Sequence, residues 1–167
     1  MFRGEETSSK VEISDVVAEN ISYDNSGKKI VKEVFRGAFC SFNFKRPFKC
    51  KLDLNSSSKK ELSKLETESS EFNKVFKAQT DNQIEARLIL SVSFMEKLLE
   101  LQNHAKCKMG FSFRGDNLFV YMKKPMFELS KKDDKFDFAL VEPIYDDLKL
   151  LEEIATEIEN NRKVFKI

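Results

Sequence analysis

Tryptophan is absent from this chain of 167 residues, histidine occurs once, and glycine, proline and cysteine number five, three and three. Each scarcity narrows the chemistry. With His104 as the single histidine, a zinc site would draw mainly on dispersed cysteines, and Cys/His or Ser/His/Asp catalysis has one imidazole to work with. No phosphate-cradling G-x-x-x-x-G-K-[ST], G-x-G-x-x-G or nucleophile-elbow G-x-S-x-G occurs among the five glycines. Cys40, Cys50 and Cys107 are an odd set without C-x-x-C spacing, which points to a reducing compartment. Cys40 and Cys50 could lie on adjacent strands and be bridged, but buried free thiols are the preferred reading. No stretch approaches the roughly 18 apolar residues of a membrane-spanning helix, and residues 1–10 are polar rather than signal-like.

What is present is a core-forming composition. Apolar residues make up 41% of the chain and sixteen are Phe, which must supply the large core volumes in place of tryptophan. The 34% of charged residues implies a heavily solvated exterior. Net charge is +1, so no global attraction to nucleic acid or anionic lipid follows. Locally the balance is uneven: residues 45–60 carry six basic side chains against Asp53, and residues 133–160 carry ten acidic ones against Lys135 and Lys149. Such asymmetry can guide association; two solvated faces are the simpler account.

Periodicity predicts strands in the first half. Val11, Ile13, Val16 and Val17 lead to a turn cluster at Tyr23-Asp24-Asn25-Ser26-Gly27 and then to apolar residues at 30–35, a hairpin. Gly37 is read as an interruption. Ala38, Cys40, Phe42 and Phe44 alternate on one face, Pro47 breaks the run, and Phe48, Cys50, Leu52 and Leu54 alternate again. Residues 55–70 read as a polar loop or frayed helix, the best candidate for a mobile segment. Thr80-x-x-Gln83 and Ser93-x-x-Glu96 resemble capping boxes. The first would open a helix with Ile84 and Leu88 on its apolar face, the second a helix marked by Phe94, Leu98 and Leu101 that ends near His104. Residues 109–113 and 118–122 form a second hairpin about Gly115-Asp116-Asn117, and the chain from Pro125 to Pro143 reads as irregular. Ile144, Leu148, Leu151, Ala155 and Ile158 mark a last amphipathic helix, with Asp146 and Asp147 suited to its start and Arg162 and Lys163 to its end.

Three stretches of the middle carry a resemblance: Glu71-Phe72-Asn73-Lys74-Val75-Phe76-Lys77; then Asp81-x-x-Ile84-Glu85-Ala86-Arg87-Leu88-Ile89-Leu90; then Phe94-Met95-Glu96-Lys97-Leu98-Leu99-Glu100-Leu101. Upstream, Val34-Phe35-Arg36-Gly37-Ala38-Phe39 looks like an F-x-G-x-F strand. Together, over roughly residues 11–121, they resemble the bacterial domain of unknown function three-one-three-seven. The resemblance implies no catalytic residues. It also implies that members often carry membrane-anchoring segments before this domain, a pattern from which residues 1–10 depart.

Two places are candidates for binding anions or partners. Lys45, Arg46, Lys49 and Lys51 are interleaved with Phe42, Phe44 and Phe48, an arrangement that can grip single-stranded nucleic acid or anionic headgroups. The simpler alternative turns the phenylalanines inward and the lysines to water. Arg87 could bind a carboxylate or phosphate bidentately, or form a structural ion pair with its stem packed beside Ile84. His104 reads as a surface residue, and the pairs Asp133-Asp134, Asp146-Asp147 and Glu152-Glu153 as solvated surface.

The expected fold is α+β: a mainly antiparallel sheet of two hairpins with two or three helices packed on one side. A flexible segment over residues 1–10 would precede a single domain over 11–167. The expected function is a non-enzymatic protein-interaction module acting near the cytoplasmic side of a membrane; the alternative is a small-molecule or lipid/anion-binding domain. No catalytic residue, metal or cofactor is assigned. The expected partner is a protein, with at most weak contact to anionic membrane and no specific nucleic acid. The expected location is cytoplasmic, membrane-associated in a longer native protein.

Overall fold

Alternation of apolar and polar residues is what builds the sheet. The computed structural model describes residues 10–56, 60–127 and 142–166. Its strands are β1 (Lys10–Tyr23), β2 (Lys29–Asn43), β3 (Leu52–Leu54), β4 (Ser63–Leu65), β5 (Ala78–Thr80), β6 (Met109–Arg114) and β7 (Asn117–Met122). They form one sheet in the order β1-β2-β7-β6-β3-β5-β4, and every pairing is antiparallel. The registers align Ile13, Cys40, Val120, Phe111, Leu54, Ala78 and Leu65 in one row across the sheet. All but the half-buried Ile13 are buried. One residue along, Glu12, Ser41, Phe119, Ser112, Asp53, Gln79 and Lys64 form the row of the opposite face, because side chains alternate with a period of two.

Helices α1 (Ser70–Val75), α2 (Gln83–Ile89), α3 (Val92–Ala105) and α4 (Glu142–Asn160) cover the apolar face. Phe76, following α1, meets Phe111 edge-on at 5.9 Å, and Phe94 of α3 meets Phe113 at 6.3 Å. The expected α+β architecture with helices on one side is the one observed.

Several local expectations are corrected. Gly37 does not interrupt β2. It sits where β2 parts from β7, and a Cβ there would overlap the carbonyl of Met122, so the glycine permits a close backbone approach. The strand read over residues 48–54 shrinks to β3, while Phe48 makes a single bridge to Phe165. Part of the polar loop at 55–70 is the edge strand β4, anchored by buried Leu62 and Leu65; residues 57–59 lie outside the described residues. The N-cap of α2 is Asn82, whose side chain accepts from the amides of Ile84 and Glu85, and that of α3 is Ser91. Thr80 is instead spent on the carbonyl of Lys51 at 2.7 Å. On α2 the buried face is Ala86 and Ile89, while Ile84 is 78% exposed. Arg162 lies beyond α4 in a 3-10 turn, Arg162–Val164, rather than at the helix end. Of the flexible segment read over residues 1–10, Lys10 opens β1 and the remainder lies outside the described residues, as does most of the irregular stretch between Pro125 and Pro143.

The β1–β2 hairpin outruns the sheet. Pairing of β2 with β7 begins at Ala38, so among the described residues, residues 29–37 of β2 pair with β1 alone. At 3.3 Å per residue that ribbon projects by roughly 30 Å. It exposes Val16, Val17, Ile21, Tyr23, Ile30, Val31 and Val34, from 37% at Val16 to 69% at Tyr23. At its base the carboxylate of Asp15 accepts from the amides of Met126 and Phe127, both at 2.7 Å.

Candidate functional site

The basic residues singled out in the sequence separate into three environments. Phe42, Phe44 and Phe48 are buried, so the aromatics of the 42–51 segment face the core and its lysines face outward. Lys49 approaches Glu85 at 3.7 Å and Lys51 approaches Glu61 at 3.6 Å. Arg87 is exposed on α2 and donates to the backbone carbonyl of Glu66 at 3.1 Å, so its partner is a carbonyl rather than the expected carboxylate.

Lys45 and Arg46 are placed differently. They occupy the bend between β2 and Phe48, which is tied down twice to the β6–β7 turn: the amides of Phe44 and Phe48 donate to the carbonyls of Asp116 and Gly115 at 2.8 and 2.7 Å. The end of the chain then closes over this bend. Lys49 donates from its amide to the Val164 carbonyl at 3.0 Å, and the Lys166 amide donates to the Pro47 carbonyl at 2.8 Å. Phe165 stacks on Phe48 at 5.1 Å and lies 5.6 Å from Phe44. The closure creates a cleft of about 370 Å³ lined by Phe44, Lys45, Arg46, Glu159, Arg162 and Phe165. Arg162 is thus a site residue that the sequence reading assigned to a helix terminus. Only its basic character, shared with Lys163 and Lys166, was available as a signal.

A second polar cluster also escaped the sequence. Asp147 of α4 is 2% exposed and sits between His104 and Lys124. Its Oδ1 lies 3.0 Å from His104 Nδ1, and its Oδ2 accepts from Lys124 Nζ at 3.2 Å. Asp146 approaches the other ring nitrogen at 3.8 Å. A buried carboxylate is tolerated because cationic or hydrogen-bonding partners surround it, and here they pin the start of α4 to the end of α3 and to the chain leaving β7. Asp147 is therefore not the solvated residue expected, whereas the Asp146 side chain is 47% exposed. Among the described residues no group of three or more His, Cys, Asp or Glu side chains is arranged to hold a metal ion.

The three thiols are free. Burial pushes Cys40 up to about 12, with the charge of Asp15 adding to it, and burial pushes Cys50 up to about 11. Cys107 is also raised by burial but is only half-buried. Since the thiolate is the nucleophile, iodoacetamide at pH 8 is expected to label Cys107 first and to leave Cys40 and Cys50 unmodified until the protein unfolds. Intact mass against time checks this; simultaneous labelling of all three contradicts it. The sign of the pH dependence follows. Unfolded thiols ionise near 9.0 whereas the folded ones keep their protons to about 11 and 12, so this contribution to stability is intact below pH 9 and is lost as pH rises through that window.

Comparison with known proteins adds the following. A family model described as "Protein of unknown function (DUF3137)" matches residues 33–160. No curated protein matches the chain. Among solved structures, the chain is similar to the mycobacterial trehalose monomycolate transport factor A, TtfA, with 9% sequence identity and a TM-score of 0.45. That alignment covers 89% of this chain and 74% of the other.

Proposed function

Since the chain belongs to this family of unknown function, we propose a role from its own surface: a non-enzymatic interaction module that docks a protein partner on the projecting β1–β2 ribbon. The observation that carries this reading is the ribbon itself. An isolated two-stranded ribbon is marginally stable in water, and a row of unpaired edge amides and carbonyls is a template for another strand. Here the outer edge of β1 and the distal edge of β2 have no neighbouring strand among the described residues. Ile21 and Val31 are directly opposed on one face of the ribbon, and Ile30 lies on the other. An extended segment with alternating apolar side chains is the occupant that uses both an open edge and these side chains. Among the described residues no helix is long and apolar enough to cross a membrane. A cytoplasmic setting close to a membrane is part of the proposal, on the strength of the longer relatives that the resemblance implies.

The test is site-specific photo-crosslinking in cells. A photoreactive residue at Ile21 or Val31 should give a discrete protein adduct, mapping to an extended segment of the partner. The same residue at Ile84, more exposed but on α2, should not. A photoreactive residue at Val17, on the stem of the ribbon, should give the same adduct in the parent and lose it when residues 20–32 are replaced by a two-residue turn. Adducts with lipid alone, adducts with the mass of a self-dimer, or equal labelling from Ile84 would overturn the reading.

A further inference from the structure

Independently of the ribbon, we infer that the cleft between the 44–48 bend and the C-terminal segment is an anion site for a phosphate ester. Three cationic side chains, Lys45, Arg46 and Arg162, line one opening of about 370 Å³, and among its described lining residues Glu159 is the single acidic side chain. Their neighbours Lys49 and Lys51 each approach a carboxylate, Glu85 and Glu61. Lys45, Arg46 and Arg162 approach none within ion-pair distance among the described residues. Like charges gathered from distant parts of the chain repel one another, and a bound anion relieves that repulsion.

The placement of the cations is built rather than incidental. The backbone bonds from Lys49 to Val164 and from Lys166 to Pro47 lock the two segments side by side, and the Phe44–Phe48–Phe165 cluster holds them from beneath. Two guanidinium groups and an ammonium suit phosphate, because arginine offers a planar fork to two oxygens of one group while lysine supplies a point charge. Phe44 and Phe165 form part of the lining, so the organic side of an ester meets an apolar wall. A soluble phosphate monoester and a phospholipid headgroup share this chemistry.

Two probes separate those sources. Calorimetric titration with glycerol 3-phosphate examines the soluble ester. Flotation with phosphatidylcholine vesicles, with and without phosphatidylglycerol, examines the headgroup. Each is run on the parent, on Arg46→Ala, on Arg162→Ala and on Lys64→Ala, a surface control whose ammonium is paired with Glu66. The three substituted residues are exposed, so the variants should keep the parent's circular dichroism and melting temperature. At least one probe should bind in a salt-sensitive manner, with affinity lowered about tenfold or more in each arginine variant and unchanged in Lys64→Ala. Binding of glycerol 3-phosphate identifies a soluble ester; binding confined to phosphatidylglycerol vesicles identifies a headgroup. Binding that survives both arginine substitutions, or no binding of either probe by the parent, overturns the inference. Neither outcome bears on the ribbon, whose adducts are read separately.

Discussion

Asp53→Ala is expected to destabilise the protein by about 3–5 kcal/mol, because it breaks a buried charge pair from one side. Asp53 lies in β3 on the face opposite the helices, yet it is fully buried. Arg114 Nη2 approaches its Oδ2 at 2.6 Å, and the hydroxyl of Ser112, its register partner in β6, donates to its Oδ1 at 2.6 Å. The Arg114 side chain is itself only 22% exposed. Alanine removes the acceptor and leaves a largely desolvated guanidinium, whereas Asp53→Asn keeps the shape and loses the charge, so its cost should be smaller, about 1.5–3 kcal/mol. A double replacement, Asp53→Leu with Arg114→Met, should recover much of the loss, since apolar groups can substitute for a buried pair with little net cost. Urea denaturation of the four proteins measures these differences. A single-variant cost below about 1 kcal/mol, within the range of an exposed pair, would show that water reaches the site.

Tyr121 offers a local readout of the same site. Burial first, and then the charge of Asp53, hold its phenol above the usual value, while its hydroxyl donates to the Asn55 carbonyl. Asp53→Ala should therefore lower the Tyr121 titration midpoint in any fraction that stays folded, and absorbance at high pH follows it.

Much of the sheet was legible because alternation is a local signal. Phe111 and Phe113, or Leu52 and Leu54, announce a core face within a few residues, and their burial follows. Gly37 was visible as a special position, but its reason, the nearby Met122 carbonyl, comes from a distant strand. The apolar face of α2 was misread because Ile84 and Leu88 stand four residues apart, the spacing of one helix face. In a helix of seven residues, the small Ala86 and the following Ile89 settle against the core instead.

Site residues were less legible for the same reason. Nothing near Asp146 and Asp147 in the sequence distinguishes them from any surface acid pair. Asp147 becomes buried only because His104 and Lys124 arrive from other elements. The β-branched residues of the ribbon read like core strand residues, and only the end of pairing at Ala38 shows that no third strand among the described residues covers them. Lys45 and Arg46 were recognised as candidates, but their separation from Lys49 and Lys51, and their meeting with Arg162, depend on how the chain end folds back.

That fold-back rests on one side chain more than any other, and Phe48→Ala is expected to undo it. Phe48 is 3% exposed, with ring centroids 5.1 Å from Phe113, 5.1 Å from Phe165 and 5.3 Å from Phe44. Its backbone pairs with Phe165 and donates to the Gly115 carbonyl. Truncation removes the ring that joins the sheet, through Phe113, to the C-terminal segment, and the flanking rings cannot all collapse into one gap. Removing a buried phenylalanine in this way costs about 3–5 kcal/mol, which for a chain of this size lowers the melting temperature by roughly 10 °C. The loss should be local before it is global: residues 162–166 should become the first site of proteolytic cleavage. Affinity of the cleft for its phosphate probe should fall with them, although no charge has been removed. A variant that melts near the parent and retains a protected C-terminus would show that the backbone bonds from Lys49 and Lys166 alone hold the corner together.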